Sequence, residues 1–252
     1  MKKALFLLVL CGVASGVMAQ ESKDKPKDKP KGLKSYAAVK WNPASLAFGK
    51  LSLFGEYNYR AKRSITVGIG IPMEKSHSFD IDKKSTAVTT KTTSFMGGYR
   101  MYMGKKSMSG FYFEPYLKYT KNELGTILRD VDLEGQTADF LVASKYSGFG
   151  GGFQLGLQMT LFKRVTLDLM ILGLEGSSAK HTMFMQDIKS SIPWDQVDED
   201  KAEKEITDIT KDIPLIGSKI KVTADKNTRT ISSEYKGFWP GYRGGITIGV
   251  KF

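Results

Sequence analysis

From residue 33 to the C-terminus, apolar and polar residues alternate with a period of two, which is typical of β-strands with two different faces. The pattern predicts eight strands, at residues 33–41, 51–59, 65–71, 94–103, 111–119, 149–161, 165–174 and 242–252. The last strand is the clearest, since one of its faces carries Tyr242, Ile246, Ile248, Val250 and Phe252. The sequence therefore predicts an all-β protein.

The connections between these strands fall into two alternating kinds. Short ones occupy residues 60–63, 104–109 and 162–164, and long ones occupy residues 74–91, 121–143 and 176–236. Short turns at one end and long loops at the other are typical of transmembrane barrels. If the long loops are extracellular, both ends of the barrel domain lie in the periplasm.

The last long connection leaves the number of strands open. Residues 198–213 have a helical pattern with mixed charges, and residues 219–234 fit a hairpin that turns at 225–227. We interpret this hairpin as an extension of the barrel above the membrane. The alternative is a further strand pair that makes the barrel ten-stranded.

The N-terminal region predicts export. Residues 1–19 have the cationic start, short apolar run and small-residue cleavage site of a signal peptide, and residues 20–32 form a Lys/Pro-rich segment typical of a disordered periplasmic tail. Cleavage would remove the only cysteine, Cys11, and lower Lys plus Arg from 38 to 36 against 26 Asp plus Glu, a formal charge of +10. An exported basic chain does not meet nucleic acid, so anionic lipid headgroups are the expected counter-surface.

Glycines favour a transmembrane barrel over a soluble one, which would show the same alternation. They fall on the polar face, where a strand facing water gains nothing from them. Inside a narrow barrel they make room for long polar side chains of neighbouring strands. Residues 33–252 are therefore predicted to form an eight-stranded antiparallel up-and-down transmembrane β-barrel with long extracellular loops, with ten strands as the alternative. The glycines are Gly68, Gly70, Gly98, Gly148, Gly150, Gly152, Gly156, Gly245 and Gly249.

Charges on the polar face are few and of both signs, which indicates ion pairs in a filled lumen rather than a water channel. The candidates for these pairs are Glu56, Arg100, Glu114, Lys118, Asp168 and Lys251. Centring the 104–109 turn places Arg100 opposite Glu114.

The same procedure predicts the positions of the other two acids. Centring the remaining short turns places Glu56 opposite Gly68 and Asp168 opposite Gly156. Both acids would then face gaps that a basic side chain from another strand could fill.

Aromatic residues near strand ends and the terminal GGITIGVKF resemble the small OmpA/OmpX-type outer-membrane β-barrel superfamily. The KWNPASLAFGKLSLFGEYNY segment is similar to the first hairpin of uncharacterised Bacteroidota barrels. The resemblance covers residues 33–252 and implies a location in the outer membrane, contact with its lipid and lipopolysaccharide, and recognition by the barrel-assembly machinery. It also implies an assembly signal formed by Tyr242, Ile248, Val250 and Phe252.

No catalytic, cofactor-binding or metal-binding residues are predicted. The two histidines, His77 and His181, are far apart in the sequence, and the glycine-rich GFGGGFQLG lacks the lysine and helix of a phosphate loop. Three function classes remain: a structural or surface-binding barrel, which we favour because the variety lies in the loops; a narrow pore or export accessory; and a lipid A-modifying enzyme. The surface ligand or protein partner is not indicated.

Overall fold

The computed structural model describes residues 36–81, 84–104, 106–133, 136–190, 199–200, 203–204, 207–208 and 219–252. The expected signal peptide and the expected tail lie outside these residues. Within the described ranges, no helix has the length and apolar character needed to cross a membrane.

The described chain is built almost entirely of antiparallel strands. A short 3-10 helix, Pro43–Phe48, follows the first of them. The described strands are β1 (Tyr36–Asn42), β2 (Lys50–Arg60), β3 (Arg63–Pro72), β4 (Lys75–Ile81), β5 (Lys84–Tyr102), β6 (Gly110–Leu133), β7 (Gln136–Leu161), β8 (Val165–Ser190), β9 (Ile220–Asp225) and β10 (Thr230–Lys251).

Eight of these strands close into a ring in the order β1, β2, β3, β5, β6, β7, β8 and β10. The ring closes where β1 pairs with β10, with Val39 opposite Val250. β4 pairs with β5, and β9 pairs with the first residues of β10, so β4 and β9 stand outside the ring. The prediction of an eight-stranded barrel is confirmed. The hairpin formed by β9 and the start of β10 extends the wall of the barrel and adds no strand to the ring.

The segments predicted as long loops differ from the expectation, because most of their residues are strand. β6, β7 and β8 have 24, 26 and 26 residues, well beyond the roughly 9–11 residues that cross a bilayer. Directly beyond Tyr119 both faces of β6 are polar, as in Lys121-Asn122-Glu123, so the period-two signal is interrupted there while backbone pairing continues. The described residues 199–200, 203–204 and 207–208 are helical, as the 198–213 pattern predicts.

The two faces of the wall have opposite character. Outward side chains are apolar and exposed, including Val67 and Ile248, whose exposed fractions are 55% and 48%. Inward side chains such as Asn58, Glu114 and Thr166 are polar and fully buried. The predicted assignment of the faces is confirmed, and the buried core lies in the lumen of the barrel.

Inward glycines make room for long side chains of the adjacent strands, as the sequence indicates. A Cβ added at Gly98 would lie 2.5 Å from Glu114 Oε1 and 2.6 Å from Thr66 Oγ1. A Cβ at Gly249 would lie 2.7 Å from Lys40 Cγ. By contrast, a Cβ at the outward Gly97 would meet nothing within 4 Å. Space inside the barrel is therefore limiting, and space outside it is not.

This contrast gives a matched pair of substitutions. Gly98→Ala should lower the free energy of unfolding by roughly 1–3 kcal/mol, because the methyl group enters a filled lumen. Gly97→Ala should have no such cost, because its methyl group points outward. Urea unfolding of both variants in lipid vesicles measures the difference, and equal effects would contradict the assignment of the two faces.

Candidate functional site

The centre of the lumen is organised around Lys40, an inward residue of β1 that is 3% exposed. Its ammonium group donates to Glu56 Oε2, to Gln158 Oε1 at 2.6 Å and to Asp168 Oδ2 at 3.0 Å. Three acceptors match the three N–H groups of a lysine, so this buried cation is fully satisfied.

Arg100 of β5 is the second buried cation of this cluster. Its Nε donates to Glu114 Oε2 at 2.6 Å, and its Nη1 donates to Gln158 Oε1 and Asp168 Oδ2, each at 2.6 Å. The guanidinium group also stacks on the Tyr112 ring, with Cζ 3.7 Å from the centroid. Arg100 therefore links β5 to β6, β7 and β8.

Neutral donors satisfy the acids that the two cations leave in excess. Tyr102 donates to Glu56 at 2.6 Å, Tyr112 donates to Asp168 at 2.7 Å, and Gln154 donates to Glu114 at 2.9 Å. The remaining cavity at this level has a volume of about 10 Å³, roughly the room of a single water. We call Lys40, Glu56, Arg100, Glu114 and Asp168 the lumen network; with their neutral neighbours they leave no channel.

The end of the lumen at which the short turns lie is closed by apolar packing. Met108, in the 103–109 turn, has positive φ and is fully buried against Ala38, Tyr102 and Tyr112. Its carbonyl oxygen accepts from Gln158 Nε2 at 3.2 Å, which ties the turn to the lumen network. The turn is therefore part of the plug and not a simple surface connection.

Two of the candidate cations lie away from the lumen network. Lys118 lies above it and pairs with Glu175 of β8 at 2.8 Å. Lys251 lies at the end of the barrel that carries the short turns, with its Nζ 4.2 Å from the centroid of the Tyr36 ring. The structure brings the other four candidates, Glu56, Arg100, Glu114 and Asp168, into one cluster.

The register predicted for two hairpins is wrong by two residues. Glu56 lies opposite Thr66 rather than Gly68, because a bulge between Asn58 and Arg60 shifts the turn. Asn58 Nδ2 donates to the carbonyl oxygens of Arg60 and Arg63, on the two sides of this turn.

Asp168 lies opposite Gln158 rather than Gly156. The β7–β8 turn is centred on Lys163, and both Phe162 and Lys163 have positive φ. Neither acid faces an empty position.

Sequence analysis missed several members of the site. Lys40 follows the alternation, since it lies between the outward Val39 and Trp41, but its strand has only seven residues and a weak pattern. Gln158 was assigned to the polar face without a role. Glu175 lies just beyond the predicted end of its strand, so its pairing with Lys118 had no signal in the period-two pattern.

The residues proposed as an assembly signal share the outward face of β10. Tyr242, Ile248, Val250 and Phe252 are all largely exposed. The backbone N–H of Phe252 donates to Ala37 O at 2.8 Å, so the terminal aromatic residue is held at the seam between the first and last strands.

A second inward cluster lies in the extended wall, above Glu175. The Trp239 ring contacts those of Tyr146, His181 and Tyr235, with centroids 5.6–5.8 Å apart. His181 Nε2 lies 2.9 Å from Ser144 Oγ on the neighbouring strand, and burial lowers the pKa of His181. Among the described residues, no group of three or more His, Cys, Asp or Glu could hold a metal ion.

Comparison with known proteins gives a structural likeness and no family. No family model matches the chain, and no curated protein matches it. The crystal structure of CarO from Acinetobacter baumannii is 10% identical over 90% of this chain and 99% of CarO, with a TM-score of 0.39.

The lumen network predicts a large cost for losing Lys40. Lys40→Met should destabilise the barrel by roughly 3–5 kcal/mol, because three buried acids are left with one cation. Lys251→Met is the matched control and should cost no more than about 1 kcal/mol, since it loses only a ring contact.

Urea unfolding in lipid vesicles measures both changes. Glu56→Gln combined with Lys40→Met should lose less than the two single substitutions added together. Additive losses, or equal losses for the two lysines, would contradict the proposed energetics of the network.

Proposed function

We propose that this chain is a non-enzymatic outer-membrane β-barrel of the OmpA/OmpX type, exported through a cleaved signal peptide, with a structural or surface-binding role. The observation that carries the proposal is the buried lumen network, which closes the axis of the barrel. A barrel filled in this way can serve as a rigid scaffold whose extended wall meets partners.

Rows of outward residues support a membrane boundary at the outer side of the barrel. Cross-strand pairing aligns an aromatic row on β5, β6, β7 and β10, and aromatic girdles of this kind mark membrane interfaces in barrels. The row contains Phe95, Tyr119, Phe149 and Phe238, all exposed.

Lysines occupy the two outward rows directly beyond the aromatic row. They are exposed and outnumber the acids among them, Glu123 and Glu234, so the rows form a cationic belt. Phosphate groups of lipopolysaccharide at this level would be attracted to such a belt, which supports lipopolysaccharide as a partner. The lysines are Lys91, Lys121, Lys145, Lys180 and Lys236.

The extended wall beyond the cationic belt is the part offered to a surface ligand or protein partner. Beyond the belt, β6 continues to Leu133, β7 begins at Gln136 and β8 continues to Ser190. On this proposal these strand extensions stand in water above the membrane. At the opposite end, the outward C-terminal face with Phe252 would be presented to the barrel-assembly machinery.

A lipid A-modifying enzyme is the alternative that one contact favours. The Ser144–His181 hydrogen bond meets one geometric requirement for an activated nucleophile. However, among the described residues none is seen bonding the other imidazole nitrogen, and the pair lies on the inner face beneath Trp239 rather than towards lipid. We therefore keep the non-enzymatic proposal.

The membrane location predicts different losses of stability for two chemically identical substitutions. Ile248 on β10 and Ile188 near the end of β8 are 48% and 49% exposed. Ile248→Arg should destabilise the barrel in vesicles by roughly 2–4 kcal/mol, because its charge would enter the bilayer. Ile188→Arg should be nearly neutral, since it lies in water beyond the cationic belt. Comparable losses for both variants would contradict the membrane boundary.

The filled lumen predicts that the protein does not conduct ions. In planar bilayers we expect no steady conductance from the wild-type barrel. Replacing both Arg100 and Tyr112 by Ser removes two large side chains from the plug and should produce a measurable conductance, which controls for detection. A large steady conductance from the wild type would replace this proposal with the narrow-pore or export-accessory alternative.

A further inference from the structure

A separate cavity of about 620 Å³ lies above the lumen network, on the outer side of Met170 and Phe54. Its described lining includes three cations, Lys50, Lys118 and Arg243, and no carboxylate. The cavity is large enough for a small organic ligand. Its charge distinguishes it from the lumen network, where acids outnumber cations.

Two of the three cations lack an acidic partner. In the described part of the chain, no carboxylate lies within 4.0 Å of Lys50 or Arg243, whereas Lys118 pairs with Glu175. Arg243 instead lies over the rings of Phe54 and Tyr116, at 5.5 Å and 5.3 Å, and contacts Met96 Sδ. Glu175 acts on Lys50 only from beyond contact distance. Half-buried cations with no carboxylate in contact favour an anionic ligand.

In the described part of the chain, no strand closes the barrel wall beside this cavity, where the 3-10 helix Pro43–Phe48 lies against β10 instead. β10 pairs with β9 at residues 230–235 and with β1 at residues 248–251. Between these pairings, the described residues provide no strand next to residues 236–247 on that side. Pro240 lies in this stretch, and proline within sheets is confined largely to edge strands.

The cavity reaches both faces of this exposed edge. Its lining includes the inward Arg243 and Gly245 and the outward Tyr242 and Gly244 of β10. Gly244 has no side chain of its own on the outer face, where the Tyr242 ring lies over it: a Cβ at Gly244 would lie 3.1 Å from Tyr242 Oη. Because Tyr242 lies on the membrane side of Phe238 in the aromatic row, the opening faces the level of the bilayer.

The lining also contains an apolar part. Phe48, Phe54, Met96 and Met170 contribute side chains beside the unpaired cations. A ligand that satisfies the whole cavity therefore needs one anionic group and an apolar chain, and an opening in the wall lets that chain extend towards lipid.

We propose that this cavity binds a single-chain amphiphile with an anionic headgroup, a long-chain carboxylate or alkyl phosphate, which enters from the membrane between β1 and β10. Lys50 and Arg243 hold the headgroup, and the chain passes the β10 edge at Gly244. The route of entry rests on the membrane location proposed above, whereas the binding site itself does not.

Native mass spectrometry of the full-length barrel, released from a nonionic detergent, tests this site by counting bound molecules. The probes are dodecanoate and dodecyl phosphate, with butyrate and inorganic phosphate as free anions and dodecyltrimethylammonium as a cationic amphiphile. One dodecanoate or dodecyl phosphate should bind per barrel, with the other three probes at least about tenfold weaker. Equal binding of butyrate or inorganic phosphate would overturn the amphiphile proposal in favour of a free-anion site. Equal binding of the cationic amphiphile would remove the anion requirement.

Substitutions locate the binding event on the barrel. Arg243→Gln and Lys50→Gln should each weaken dodecanoate binding by roughly tenfold, and Lys251→Gln, at the far end of the barrel, should leave it unchanged.

Heat-modified migration on gels shows whether each variant is still a folded barrel. If a folded Arg243→Gln variant binds dodecanoate as the wild type does, the site is overturned. If binding holds but Ile248→Arg proves harmless in vesicles, the membrane location fails and the site remains.

Discussion

The pairing of two buried cations with three buried acids is the constraint on which the rest of this barrel depends. Lys40, Glu56, Arg100, Glu114 and Asp168 come from β1, β2, β5, β6 and β8, so the network joins more than half of the ring. A slip of one residue in any of these strands would turn a charge outward and leave its partners uncompensated. Closure and register are thus determined by the same contacts.

Such a network can form only where neighbouring inward residues of the wall are small. Glycines stand where the longest inward side chains need room, as Gly98 does beside Glu114 and Gly249 does beside Lys40. Tyr102 and Tyr112 then fill what remains, and their hydroxyl groups donate to the acids that the cations leave in excess. Small and large inward residues are therefore two parts of one packing solution.

The alternation of residue types was sufficient to predict the ring, its faces and the purpose of its glycines, because each of these follows from side-chain polarity along one strand. It was insufficient for register where turns depart from simple geometry, as at the Asn58 bulge and the Phe162–Lys163 turn. It also could not predict how β6, β7 and β8 continue beyond the apolar belt, since polar residues such as Lys121, Asn122 and Glu123 interrupt the period-two pattern there. Lys40 was missed because contacts across the lumen leave no trace in sequence spacing.

The lumen network and the outer cavity depend on each other through the seam between β1 and β10. β1 carries Lys40 into the network and ends two residues later, at Asn42, so the seam is hydrogen-bonded only at the level of the network. Strong polar contacts at that level hold the ring closed, although the described residues provide no partner strand for β10 above it. Because the network blocks the axis below Lys50 and Arg243, the proposed ligand reaches them from the outer side of the barrel or past the β10 edge, where the described residues provide no pairing strand.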